Sequence, residues 1–303
     1  MRVFVTGASG FLGSAVAGAL ARAGHEVAGL VRTAEKAKDL ARAEVEPVVG
    51  NLEAPASWSD RARACRAVVH CAAESSARFH DLDRKAVEAI VAAHSAVPGA
   101  SRTFVYTSGV WVYGDTRGAR VDEASAPNPP KLVAPRVETE KIVLAASRGG
   151  LRTTVVRPGC IYGGSGSLTA MWFESASKTG AARILGDGSC RWSMIHVDDV
   201  AELYRLAVES QLGGEILNAT DRSRSTVAEC ARAASVAAGA EGRVATIPAD
   251  EAARRFGPLA ETLQFDQHVD ASRAARFLGW QPRHAGFVDE VDRCFRAWKA
   301  HLP

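Results

Sequence analysis

A chain of 303 residues, 47% hydrophobic and 23% charged, has the make-up of a globular protein large enough for one big α/β unit or two interleaved domains. Its 37 Lys+Arg against 34 Asp+Glu leave a net charge of +3, too small and too evenly spread for a nucleic-acid or membrane partner. The cysteines at 65, 71, 160, 190, 230 and 294 form no CxxC, and no histidine stands at zinc-ligand spacing, so they read as reduced thiols with no metal.

The first half alternates strand and helix. The β-branched run "RVFVTG" (2–7) leads into a helix over 11–24 that closes on glycine. This uncharged stretch imitates a secretory leader, but three evenly spaced glycines interrupt it, and the expectation is a cytoplasmic protein. Strands follow at 25–32, 45–50, 67–73, 102–108 and 152–159, separated by helices over 34–43, 83–96 and 136–148 and a polar helical stretch before 67. Nearly continuous apolar strands between helices predict a Rossmann-type doubly wound parallel sheet with both faces covered. After residue 160, glycine-rich loops alternate with helices near 168–179, 198–209, 226–238, 271–278 and 286–300. The expected division is a dinucleotide-binding unit over 1–160 and about 196–222, and a smaller, mostly helical substrate lobe over about 161–195 and 223–303.

"TGASGFLG" (6–13) joins the first strand to the first helix with glycines at 7, 10 and 13. That spacing gives a tight turn, a backbone able to approach a pyrophosphate, and a helix N-terminus offering N–H donors. Gly7, Ser9, Gly10, Phe11, Leu12 and Gly13 are therefore candidate cofactor contacts. The second strand ends in Arg32 rather than a carboxylate, with Lys36 behind it, which points to the 2′-phosphate of NADP(H) rather than a free ribose. Asn51 and Leu52 are placed to hold adenine, and Cys71, Ala72 and Ala73 are small enough for the cofactor to pass. His70 ends an apolar strand and reads as a packed core histidine.

Seven stretches in order resemble the extended short-chain dehydrogenase/reductase superfamily, which contains sugar-nucleotide epimerases and dehydratases. They are "TGASGFLG", "VVHCAA", "FVYTSGVWVYGD" (104–115), "VVRPGCIYG" (155–163), "SMIHVDDVA" (193–201), "EILNATD" (215–221) and "DASRAARFLGWQP" (270–282). The resemblance implies about seven strands, a C-terminal substrate lobe, an active site between them, and dimerisation through the helices near 83–96 and 136–148. It adds Thr107, Arg136, Pro158 and Ile161 to the cofactor contacts and places Glu74, Gly109, Tyr113, Tyr162, Trp192 and His196 at the substrate.

The family's Ser/Thr, Tyr and Lys set is missing. The Ser/Thr position reads Gly109, and the only tyrosines are Tyr106, Tyr113, Tyr162 and Tyr204, none followed four residues later by lysine. The tyrosine and lysine positions read Leu132 and Arg136. Ser108, Tyr113 and Arg136 are the candidate substitutes, although strand alternation can turn Ser108 away and arginine cannot deliver a proton. A phenol on the substrate is a further candidate. Degenerate members of the superfamily include ketoreductases that tailor angucyclinone-type aromatic polyketides, and the pattern here resembles them. The expected function is NADPH-dependent reduction of a bulky aromatic ketone. The alternatives are a non-catalytic NADP-binding redox sensor or interaction module and, third, a sugar-nucleotide epimerase or dehydratase.

Overall fold

In the computed structural model, which describes residues 1–74, 78–95 and 101–302, the apolar runs pair side by side. The strands are β1 (Arg2–Thr6), β2 (Glu26–Val31), β3 (Glu46–Val49), β4 (Ala67–His70), β5 (Arg102–Thr107), β6 (Arg120–Val121) and β7 (Leu151–Pro158). Those after them are β8 (Cys160–Tyr162), β9 (Ala182–Ile184), β10 (Met194–His196), β11 (Glu215–Ala219), β12 (Val244–Thr246) and β13 (His268–Val269). Seven of them make one sheet in the order β11-β7-β5-β4-β1-β2-β3. Every pairing in it is parallel, with Val3 opposite Val27 on one side of β1 and Ala67 on the other. The winding reverses between β1 and β4, and beyond the carboxyl ends of these strands lies the crevice where such sheets take ligands.

Alternation along β1 explains both layers. Val3 and Val5 face a core shared with Val16 and Leu20 of α1 (Phe11–Arg22), whereas Phe4 faces Trp58, Phe104 and Tyr106 on the opposite side. In chain order, α2 (Ala34–Arg42) and α3 (Ser59–Ala64) precede α4 (Phe79–Ser95) and α5 (Ala134–Ala145), which supply Ile90 and Val143 to the Phe4 side. The lobe holds α6 (Ala170–Thr179), and α7 (Val197–Glu209) then returns to the sheet to pack on α1. Next come α8 (Val227–Ala237), α9 (Ala249–Phe256), α10 (Leu259–Thr262), α11 (Ser272–Leu278) and α12 (Val291–Ala300). The lobe core is a separate cluster around Trp172, Phe173, Trp192, Phe287 and Trp298.

Several boundaries differ from the sequence reading. α4 begins at Phe79, four residues earlier than expected, and the expected last residue, 96, lies outside the described residues. α5 ends at Ala145, followed by Gly149 and Gly150 at φ +60° and +93°. α12 begins at Val291 because Gly286, at φ +137°, breaks the expected first turn. No helix among the described residues is long and apolar enough to cross a membrane.

Candidate active site

Two cavities open at the carboxyl edge of the sheet. The first, of about 630 Å³, follows the β1–α1 turn, the tip of β2, the Gly50–Glu53 loop and the end of β4. Gly7 sits at φ +69°, and a Cβ there would lie 2.7 Å from the Ala72 backbone; one on Gly13 would lie 2.1 Å from the Gly7 carbonyl oxygen. Only glycine allows this turn, and no side chain caps α1, so its first amides keep their donors for a ligand. Arg32 is exposed at this cavity's rim and forms no hydrogen bond or ion pair among the described residues. The Asn51 side-chain oxygen accepts from the Ala54 N–H at 2.9 Å, which leaves its amide N–H groups as the available donors.

The second cavity, of about 860 Å³, adjoins the first, and the two share Glu74, Thr107, Ser108 and Arg136. Phe79, Trp111, Leu132, Ile161, Leu168 and Phe256 give it a largely apolar wall. Gly109, Leu132 and Arg136, which the family resemblance assigns to the Ser/Thr, Tyr and Lys positions, all line it. The Arg136 guanidinium donates to the Thr107 carbonyl at 2.7 Å and lies 4.8 Å from the centre of the Phe79 ring. Thr107 is engaged as well: its hydroxyl accepts from Tyr204 at 2.8 Å and donates to Cys71 Sγ at 3.5 Å, and burial pushes the Cys71 thiol up to about 12.

Beneath this wall is a buried polar network. Arg157 on β7 donates through Nε and a terminal nitrogen to both oxygens of Glu140 on α5, at 3.0 and 2.5 Å, and both residues are 2% exposed. Burial alone would lower the Arg157 pKa, and the Glu140 carboxylate more than reverses it. The Ser108 hydroxyl donates to Glu140, so this first candidate for the missing acid is already committed. Tyr113 accepts from Arg157 at 2.8 Å and donates to Asn218 at 3.0 Å.

The structure gathers most of the anticipated cofactor residues at the smaller cavity: Gly7, Ser9, Gly10, Phe11, Leu12, Gly13, Arg32, Asn51, Leu52, Cys71, Ala72, Ala73, Thr107 and Arg136. Lys36 is not among them, since its ammonium pairs with Asp39 at 3.4 Å, and Pro158 and Ile161 line the larger cavity. Glu74 and Gly109 face the larger cavity, whereas Tyr113, Tyr162, Trp192 and His196 do not. Tyr113 closes a short 3-10 helix over Val110–Tyr113 with its hydroxyl held in the network. Tyr162 is fully buried against Phe287, and Trp192 stacks on Trp172 with centroids 5.1 Å apart. His196 stacks on His284 at 3.5 Å and accepts from the Asp198 N–H as the cap of α7. Lys131 and His80 line the larger cavity without having been anticipated. His70 is buried as expected, between Thr6 at 2.7 Å and Asp83 at 3.2 Å.

The family model described as "NAD dependent epimerase/dehydratase family" matches residues 3–219. The chain belongs to that family. Among family proteins, the 4-hydroxy-2-methyl-3-oxo-4-farnesyl-3,4-dihydroquinoline-1-oxide ketoreductase of Stigmatella aurantiaca is 31% identical over 272 residues, covering 87% of this chain and 80% of its own. An uncharacterised protein of Schizosaccharomyces pombe is 29% identical over 297 residues, covering 96% and 98% of the two chains. The crystal structure of a Thermotoga maritima UDP-glucose 4-epimerase with UDP-glucose superposes with a TM-score of 0.84 over the whole of both chains at 21% identity, a likeness of fold. The family uses nicotinamide dinucleotides, and the glycine cradle with its uncapped helix fits such a cofactor.

Proposed function

We propose that this epimerase/dehydratase-family protein is an NADPH-dependent ketoreductase. Its substrate would be a bulky aromatic ketone of the angucyclinone-polyketide kind, reduced without the Ser–Tyr–Lys set. The observation that carries this reading is the apolar cavity of about 860 Å³ sharing a wall with the glycine-lined crevice, so that a ketone in one would lie beside a nicotinamide in the other. Phe79, Trp111 and Phe256 offer flat apolar surfaces to a polycyclic substrate. The reduced cofactor, when bound, supplies hydride. The chain's own part is to hold the carbonyl in place, exclude water, and provide a proton.

Magnitudes support a reductase despite the lost tyrosine. Positioning two reactants is worth roughly 7–11 kcal/mol, whereas a general acid contributes roughly 3–5.5 kcal/mol. Epimerisation is less well served, because it needs a base to open the oxidation step, and none of the four tyrosines lines either cavity. The Stigmatella ketoreductase, which acts on an oxo-dihydroquinoline according to its name, supports the choice of a ring ketone.

Arg32 supports NADPH over NADH, because its fork, unpaired among the described residues, lines the smaller cavity after β2, where the 2′-phosphate of a bound cofactor would lie. Arg32→Ala is expected to weaken NADPH binding by the value of a charge-assisted contact, about 1.5–3 kcal/mol or roughly 10- to 150-fold, and to leave NADH unchanged. Titration of both nucleotides into the two proteins, followed by nicotinamide absorbance with a panel of aromatic ketones, tests the reading. Equal loss for both nucleotides overturns the NADPH assignment, and wild type that binds NADPH but reduces no ketone favours a redox sensor.

A further inference from the structure

We infer that His80 is the proton donor of the reaction, standing in for the tyrosine missing at position 132. The inference rests on the reductase reading. His80 lies in the first turn of α4, half-buried, on the wall of the larger cavity, and its Nε2 is 2.7 Å from the carbonyl oxygen of Leu132. The imidazole is thus seated against the backbone of the position the tyrosine would have occupied.

Elimination among the cavity's polar side chains leads to the same residue. Ser108 is committed to Glu140, Thr107 is held between Tyr204 and Cys71, and Arg136 cannot lose its proton. Glu74, His80, Lys131, Cys160 and Ser167 remain, and of these the imidazole is the type that changes charge near neutral pH. A carbonyl oxygen can only accept, so the Leu132 contact keeps a hydrogen on Nε2 in both charge states. Nδ1 is then the nitrogen that exchanges the proton, and it forms no hydrogen bond among the described residues.

The turn that carries His80 is anchored. Asp83, three residues later, accepts from the Tyr106 hydroxyl at 2.6 Å and from His70 at 3.2 Å inside the sheet. Charged groups that line the same cavity are Glu74 after β4, Lys131 before α5 and Arg136 on α5; on its own helix are Asp81 and Arg84, the latter paired with Glu88 at 3.1 Å. The step balances. His80 would pass its Nδ1 proton to the carbonyl oxygen as the C=O π pair moves there, while the reduced cofactor, when bound, would supply hydride to the carbonyl carbon. The products are a secondary alcohol, oxidised cofactor and a neutral imidazole, which regains its proton from water.

The test uses the full chain with NADPH and an aromatic ketone that the wild type reduces. Glutamine at position 80 keeps an N–H donor for the Leu132 carbonyl but transfers no proton, so it separates a holding role from a donating one. His80→Gln is expected to lower kcat/KM by about 10²-fold or more, with NADPH affinity retained because His80 does not line the dinucleotide cavity. A general-acid role requires that wild-type kcat/KM fall at high pH, and that this limb be absent from the variant. Added imidazole is expected to restore part of the rate to His80→Ala, which keeps the test valid if the glutamine variant folds poorly. Wild-type rate and pH profile in His80→Gln overturn the proposal while leaving the reductase reading intact. Absence of ketone turnover by NADPH-bound wild type overturns that underlying reading, and this proposal with it.

Discussion

Glu140→Ala is expected to be among the most damaging single substitutions in the sheet. The carboxylate is 2% exposed and receives two hydrogen bonds from Arg157 and one from Ser108. Removing it leaves a guanidinium that is also 2% exposed, with only the Tyr113 oxygen at 2.8 Å as a hydrogen-bond partner among the described residues. Stranding one member of a buried pair costs about 3–5 kcal/mol. With a urea dependence of about 3 kcal/mol per molar, the unfolding midpoint should fall by roughly 1–1.7 M. An internal control lies on the same helix, where Glu138 pairs with Lys141 at 2.8 Å but both side chains are about two-thirds exposed. Glu138→Ala should cost less than about 1 kcal/mol. Urea unfolding of both variants, followed by circular dichroism, decides the matter. If Glu140→Ala shifts the midpoint no more than Glu138→Ala does, the buried network does not carry the weight assigned to it.

Two further expectations concern the vacated site and pH. A Cβ on Gly109 would meet nothing nearer than the Pro158 carbonyl oxygen at 3.8 Å, and the residue is in extended backbone at φ 179°. Gly109→Ser should therefore fold as well as the wild type, and one new hydrogen bond to the ketone, about 1 kcal/mol, should raise kcat/KM roughly fivefold; an unfolded variant would show the site to be tighter than described. Burial holds the pKa of His94, which is 2% exposed, down to about 4. An unfolded histidine takes up its proton near 6.5, so this stabilisation is complete above that pH and is lost as pH falls towards about 4, a loss of about 3 kcal/mol. His94→Gln should remove that slope when urea midpoints at pH 5 and pH 8 are compared, and an unchanged slope would refute the assignment.

The parts of the site that were legible in the sequence are those whose backbone demands one residue type or one period. Gly7 and Gly13 could be read because no side chain fits there, and β1 because its β-branched run feeds that turn. Counting tyrosines showed that no YxxxK exists, and Gly109, Leu132 and Arg136, assigned by the family resemblance to the Ser/Thr, Tyr and Lys positions, all line the cavity. Tyr113 misled because the alternation that orients strand residues stops at Thr107, and a one-turn 3-10 helix sends its side chain inward instead. Tyr162, Trp192 and His196 lie in or beside strands of three residues, too short to show any period. Arg157 and Glu140 are 17 residues apart, and only the packing of α5 on β7 makes them a pair. His80 was invisible because its significance depends on Leu132, a contact across 52 residues.

Glu74, Thr107, Ser108 and Arg136 each belong to both cavities, like party walls between adjoining rooms. Linkage then applies to their occupants: whatever one ligand gains by fixing Arg136 or Thr107 in place, the other gains by the same factor. A change at any of the four residues should appear as a change in the coupling between cofactor and ketone affinities, which a single-ligand titration does not detect. On the proposed reading, a dinucleotide bound in the smaller cavity would form part of the wall of the larger one. That reading predicts a sequential filling of the two cavities, cofactor first.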